Sequence, residues 1–408
     1  MVWNKNSRNT FTPAKKTPPG VPALAEVAVA VTEPRQAKMA GSVLAAAMLL
    51  PAIATPAHAQ QAPEHAQLSF KLLEYQDYQP NFERTHVRAP SLALVLPVGE
   101  RWAIDASAVQ DSVSGASPRY HTAISGASKQ TEMRRAGDIR VTYYGTRSTW
   151  ALGGALSNEN DYRSRSLSLE HRWSTEDNNR SYRLGAALTR DKIGATGNPT
   201  LDEERNTTEL SAGITQAWTA LDLVQLSLSL RHGTGYFSDP YKFPDVRPRT
   251  RQQNMLMLQW NHFFEPTQTT LKTSYRWYGD SFGVRAHTFE GQWVQPMGKR
   301  FTLTPSLRLY TQRAASFYVD PVPGSEELPP PLPPPGAWPY ISADQRLSGF
   351  GAYALALKVE WQVSATLLLD LRMEHYAQRG DWRVGGEGSP GLAPFAARHW
   401  MLGFNYRF

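Results

Sequence analysis

Apolar and polar residues alternate with a period of two along most of the chain. Residues 223–231 read LVQLSLSLR, in which Val224, Leu226, Leu228 and Leu230 alternate with Gln225, Ser227, Ser229 and Arg231. In ATLLLDLRME (365–374), Leu367, Leu369, Leu371 and Met373 share one face, and Asp370, Arg372 and Glu374 share the other. At the C-terminus Trp400, Leu402, Phe404, Tyr406 and Phe408 lie opposite His399, Gly403, Asn405 and Arg407. Successive side chains of a strand point to opposite faces, whereas a helical face recurs every 3.6 residues, so this pattern predicts strands.

The breaks between these segments follow a rule. Short polar turns fall at 97–101 (PVGER), 145–149 (GTRST), 174–180 (STEDNNR), 219–222 (TALD), 265–268 (EPTQ), 296–300 (PMGKR) and 362–365 (QVSA). Longer connections lie between them, at 111–137, 192–206, 237–250, 317–347 and 378–394, with briefer ones near 158–161 and 279–283. The count is about sixteen antiparallel strands, and the asymmetry of short turns and long loops is that of outer-membrane barrels. A sandwich or propeller would also alternate. It would not favour strands of about ten residues with aromatic ends, such as those placed near Trp150, Trp173, Trp218, Trp260, Trp293, Trp361 and Trp400. The predicted fold class is therefore all-β, a transmembrane antiparallel β-barrel of about 16 strands, with amphipathic rings at the headgroup level.

Only one long run is apolar, MAGSVLAAAMLLPAIA at 39–54, behind Arg35 and Lys38 and ahead of Ala57-His58-Ala59. It reads as a secretory signal peptide cleaved after Ala59, too short and too rich in Ala, Gly and Pro for a membrane span. That divides the chain into an N-terminal extension with signal peptide (1–59) and a barrel (60–408). A long basic leader or a misplaced start would each explain residues 1–34. Removing six basic and two acidic residues with the leader lowers the net charge from +7 to +3. No Lys/Arg stripe interleaved with aromatics remains, and no nucleic-acid partner is expected. Charged residues make up 19% of the chain, and the mean hydropathy of -0.45 is too polar for a helical membrane bundle. The sequence has no Cys, which excludes disulfides and thiolate chemistry.

Catalytic patterns are weak. The histidines are scattered with no H-E-x-x-H, no G-x-S-x-G occurs, and GEGSPG (386–391) lacks the strand-then-helix setting of a phosphate cradle. Neither enzyme activity, a cofactor nor a metal is expected. If the alternation holds, Asp138, Arg140, Glu170, Arg172, Glu209, Arg231, Arg276, Glu290, Arg308, Lys358, Asp370, Arg372 and Glu374 face the lumen. Such mixed charge either stiffens a closed barrel through ion-pair ladders or sets a transverse field that selects solutes. An outer loop at 236–249 holds Asp239, Lys242, Asp245, Arg247 and Arg249, either as a salt-bridged structural loop or as an ion-binding one. A second, 321–340, has nine prolines and is expected to be stiff and extended.

The terminal ring of Phe408 needs a partner, since a chain end ordinarily frays. A closed barrel supplies one by pairing the last strand with the first. Gly403, Tyr406 and Phe408 also resemble, in spacing, the assembly signal of bacterial outer-membrane proteins, though Met401 departs from the usual polar residue. YQDYQP (75–80), VGERW (98–102), DSVSGASPRYHTAISGAS (111–128), RRAGDIRVTYY (134–144), ENDYRSRSLSL (159–169), GYFSDPYK (235–242), RWYGDSFGVRAHTFE (276–290) and LTPSLRLYTQRAASFY (303–318) are similar to the signature segments of one proteobacterial outer-membrane β-barrel family. That family is catalogued only as a domain of unknown function. The resemblance implies a place in the outer membrane of a Gram-negative bacterium, with outer-membrane lipid and the barrel-assembly machinery as partners. Family members tend to lie beside genes for a small lipoprotein, a thioredoxin-like protein and a flavin transferase, which implies a periplasmic redox or lipoprotein partner. The leading expectation is a porin-like channel or small-solute barrel; the rival is a non-conducting anchor or assembly barrel for such a partner.

Overall fold

A computed structural model describes residues 61–79, 82–115, 130–196, 198–242, 244–320 and 339–408. The expected signal peptide and most of the proline-rich loop 321–340 lie outside these residues. The first strands are β1 (Gln67–Gln79), β2 (Phe82–Val98), β3 (Trp102–Gly115), β4 (Gln130–Tyr144), β5 (Ser148–Asn158) and β6 (Tyr162–Ser174). They continue as β7 (Arg180–Ile193), β8 (Glu203–Ala217), β9 (Asp222–Gly235), β10 (Asp245–Val246), β11 (Thr250–Phe264) and β12 (Thr269–Asp280). The last are β13 (Arg285–Met297), β14 (Phe301–Arg313), β15 (Ile341–Ser342), β16 (Phe350–Gln362), β17 (Leu367–Arg379) and β18 (Phe395–Arg407).

Sixteen of these strands close into one antiparallel barrel, while β10 and β15 pair separately in the loops. Closure runs through β1 and β18, with Gln67 opposite Arg407 and Tyr75 opposite His399. One step beyond the strands, Ala66 and Phe408 exchange backbone hydrogen bonds in both directions, each 3.0 Å. The last residue is therefore paired, and its ring stacks on Tyr406 at 5.8 Å.

Period-two alternation becomes the two faces of the wall. Outward Leu152, Leu156, Leu167 and Leu188 are more than half exposed, while inward Ser157 and Ser164 are sealed at 0% and 1%. All seven short turns lie at the end of the barrel that holds Ala66 and Phe408, and the long connections leave the strands at the other. At the end holding Phe408, Trp150, His171, Trp173 and Tyr182 stack along β6 and across to β5 and β7 with centroids 3.9 to 5.2 Å apart. Trp102 on Tyr143 and Phe301 on Trp361 continue this aromatic belt. Trp400 differs from expectation by sitting mid-strand in β18, opposite Met373.

Two details of the punctuation also differ. β1 and β2 pair as far as Gln79 opposite Phe82 where no break in alternation separates two strands, and the connection expected at 111–137 is shorter because β3 reaches Gly115 and β4 begins at Gln130. Both strands continue through polar residues there, so the periodicity fades before the pairing does.

Gly403 has a steric role in the wall. It lies opposite Asp370, and a Cβ at this position would sit 2.9 Å from the Asp370 carboxylate. Gly403→Val is expected to push Asp370 out of place and to lower unfolding stability by about 1–3 kcal/mol, the usual range for overpacking, measured by urea titration of the lipid-reconstituted barrel.

Candidate functional site, the charged inner wall and its loop cap

The inner wall has two parts of different character. Strands β14, β16, β17, β18 and β1 carry a packed arc. Lys358 Nζ lies 2.8 Å from Glu360, Arg372 Nη2 2.9 Å from Glu374, and Lys71 Nζ 3.9 Å from Asp370. Arg308 Nε reaches Glu290 on β13 at 3.1 Å. Register places these pairs in one lattice, with Lys358 opposite Arg372, Glu360 opposite Asp370, and Glu374 opposite His399. Asp370, Glu374, Lys358 and His399 are all at most 5% exposed.

Strands β3 to β9 carry a more open arc. Glu170 accepts from Arg172 Nε at 2.6 Å and from Arg183 Nη1 at 3.4 Å. Ser107 donates to Asp138, and Asp105 faces Arg140 across the β3–β4 pair. Farther round, Arg231 holds Glu209 at 2.6 Å, and Arg276 donates to Thr288 at 3.2 Å. The Arg172 and Arg183 side chains keep 36% and 25% of their surface accessible, against 10% for Arg372. A guanidinium held by one carboxylate edge retains free N–H donors for an incoming anion or carboxylate.

All the lumen candidates named from alternation thus point inward, but they do not form one site. Lys358, Asp370, Arg372 and Glu374 belong to the packed arc with Arg308 beside them, and Asp138, Arg140, Glu170, Arg172 and Arg231 belong to the open one. Sequence reasoning missed Lys71, Asp105, Arg183 and Glu360. Each sits at the inward parity of its own strand, so extending the alternation through FKLLEY, WAID, RSYRLG and KVEW would have found them.

At the loop end the connections lock into a cap. Arg247 donates to Asp245 at 2.9 Å and to Asp344 at 2.6 Å, and Arg346 holds Asp239 at 2.6 Å and also grips Asp344. The Asp239 amide donates to the Asp245 carboxylate, and β10 pairs with β15 in the same place. Tyr241 ties this knot to two further loops, donating its hydroxyl proton to Asp161 and accepting from the Thr196 amide at 2.5 Å. Lys242 is buried in the same knot. Beside it Phe282, Val284, Ala315, Phe317 and Leu347 form a small apolar core that Phe237 joins. Gly235, at φ +120°, permits the turn into this loop, since a Cβ there would collide with the Glu204 carbonyl. Asp239, Lys242, Asp245 and Arg247 therefore sit in a salt-bridged structural loop. Among the described residues no group of three His, Asp or Glu side chains gathers as a metal site.

Asp344 is the pivot of the cap. Burial alone would raise its carboxyl, but Arg346 and Arg247 outweigh burial and hold it well below the ordinary value of 3.8. A depressed carboxyl stabilises the folded form above its unfolded value and loses that contribution as pH falls through the folded one. The Asp344 contribution to hydrogen-exchange protection of this loop is thus expected to persist from pH 7 to about 4 and to be lost in stronger acid. Asp344→Asn is expected to lose that protection at neutral pH. In the packed arc, Glu374→Leu strands the Arg372 charge and is expected to cost about 3–5 kcal/mol in urea unfolding.

The chain matches the family model described as "Protein of unknown function (DUF3570)" over residues 40–132, 124–202 and 198–408. No curated protein matches it. Among solved structures, a bacterial polysaccharide outer membrane secretin aligns at TM-score 0.48 and 10% identity, covering 84% of this chain and 98% of that one. The siderophore receptor PirA from Pseudomonas aeruginosa aligns at 0.39 and 11%, covering 85% and 81%. A loop-deleted OmpT from Vibrio cholerae aligns at 0.42 and 6%, covering 84% and 99%. No functional assignment follows from similarities at this level. With its model matched from residue 40 to the C-terminus, the chain belongs to the DUF3570 family, and its fold is a closed sixteen-stranded barrel of the outer-membrane type.

Proposed function

We propose that this protein is a porin-like barrel of the Gram-negative outer membrane that passes or binds a small charged solute, without catalysis. One observation carries the reading: the partly exposed Arg140, Arg172 and Arg183 share a stretch of inner wall with Asp105, Asp138 and Glu170, while the opposite arc is packed and buried. Fixed charges of both signs on one accessible stretch of wall, against a rigid backing, produce a local field across a water-filled space. A barrel of sixteen strands is wide enough to leave such a space.

The buried ion pairs that lock the loops favour a second reading, a non-conducting barrel that anchors a periplasmic redox protein or lipoprotein. Planar-bilayer conductance of the refolded barrel separates the two. Discrete salt-dependent steps support the pore, and Arg172→Glu with Arg183→Glu is then expected to shift the reversal potential toward cation preference. Steps that appear only in Asp344→Asn mark a pore closed by its loop cap. Silence in both forms counts against transport and favours the anchor. Charge reversal at Asp370 or Arg372 is a poorer test, because both are buried and their loss changes stability first.

A further inference from the structure

On the outer face of β4 to β8 the surface changes character within one step along the strands. Ile139, Leu156, Leu167 and Leu188 present an exposed apolar surface, and the small Gly137 and Gly154 leave it concave as a groove of about 960 Å³. Immediately toward the loops stand Arg165 opposite Arg190, then Arg163 opposite Lys192, with Arg135 two strands away beside the same groove. All five point outward and are exposed.

Two features make this row unusual. Like charges directly opposite on neighbouring strands repel, and here two such pairs are stacked one above the other. Among the described residues, carboxylates compensate only the β7 side, where Glu204 meets Arg190 at 2.7 Å and Asp202 meets Lys192 at 3.3 Å. Arg163 and Arg165 have no carboxylate within 4.0 Å among the described residues. The row also sits at a defined height. From the aromatic belt at Trp173 to Arg165 the strand runs about 27 Å at roughly 3.4 Å per residue. A strand tilt of about 40° reduces this to about 20 Å along the axis, close to the apolar band of an outer-membrane barrel. The cations therefore stand where hydrocarbon gives way to headgroups at the loop end.

We infer that this patch binds a phosphorylated lipid of the leaflet at the loop end, with acyl chains in the groove and phosphates on Arg163, Arg165 and Arg190. Guanidinium groups take phosphate in paired hydrogen bonds, and an anion between them removes the cross-strand repulsion. The adjoining apolar concavity distinguishes a lipid from a free phosphate, which has no use for it.

The test is native mass spectrometry of the detergent-purified, folded barrel incubated with diphosphoryl lipid A or with phosphatidylcholine. Wild type is expected to retain lipid A well above phosphatidylcholine. Arg163→Gln with Arg165→Gln is expected to reduce lipid A retention about tenfold or more, at roughly 1 kcal/mol per basic residue near an anionic surface, while phosphatidylcholine retention stays level. Lys299→Gln with Arg300→Gln, in the turn at the opposite end, is expected to change neither. Gel heat-modifiability confirms folding of each variant, and Arg165→Gln alone, expected to lose about threefold or more, replaces the double variant if that fails to assemble. Equal retention of the two lipids by wild type, equal lipid A retention by the arginine variant, or an equal loss in the turn variant would each overturn the assignment.

Discussion

Backbone closure is the constraint on which everything else in this molecule depends. In hydrocarbon an unpaired amide or carbonyl costs several kcal/mol, so a sheet that spans a bilayer must have no edge. The β1–β18 seam meets that demand, and the exchange between Ala66 and Phe408 carries it to the last residue. Because the ring closes, the strands can present Leu and aromatic side chains to lipid and keep Ser, Arg, Lys and carboxylates for the interior. A soluble sandwich would have to invert that arrangement.

Closure at sixteen strands leaves an interior too wide for side chains from opposite walls to meet. The two arcs are two physical answers to that width. On β14 to β1 the charges pair with their own neighbours in a lattice whose members are mutually dependent, since removing one strands another. On β3 to β9 the charges also pair, but with accessible faces, so their guanidinium groups keep solvent-facing N–H donors. Close-packed and accessible charge are thus placed on different parts of one ring.

Much of this was legible in the sequence, because period two fixes which side chains face inward without any knowledge of tertiary contacts. LVQLSLSLR and ATLLLDLRME disclosed both faces of their strands, and the short turns disclosed which end is which. What alternation cannot supply is register. Asp370 and Gly403 meet because β17 and β18 pair at one offset, and nothing local to either segment states that offset. The cap was hidden for a similar reason: Arg247 bonds Asp344 across 97 positions of chain, so the loop looked like an isolated group of charges. The basic row on the outer face was equally invisible, since Arg163 and Arg165 meet Arg190 and Lys192 only once β6 lies against β7.

Loops of a barrel are usually free to vary one at a time, because each is fastened only to the two strands it joins. The miniature β10–β15 sheet removes that freedom here. Asp239, Asp245 and Arg247 share buried charge of both signs with Asp344 and Arg346, and Tyr241 extends the dependence to the loops at Asp161 and Thr196. These connections are therefore inherited as one unit: a graft that exchanges a single loop leaves an orphaned Arg or Asp behind, whereas exchanging the whole set carries the cap intact to a new barrel.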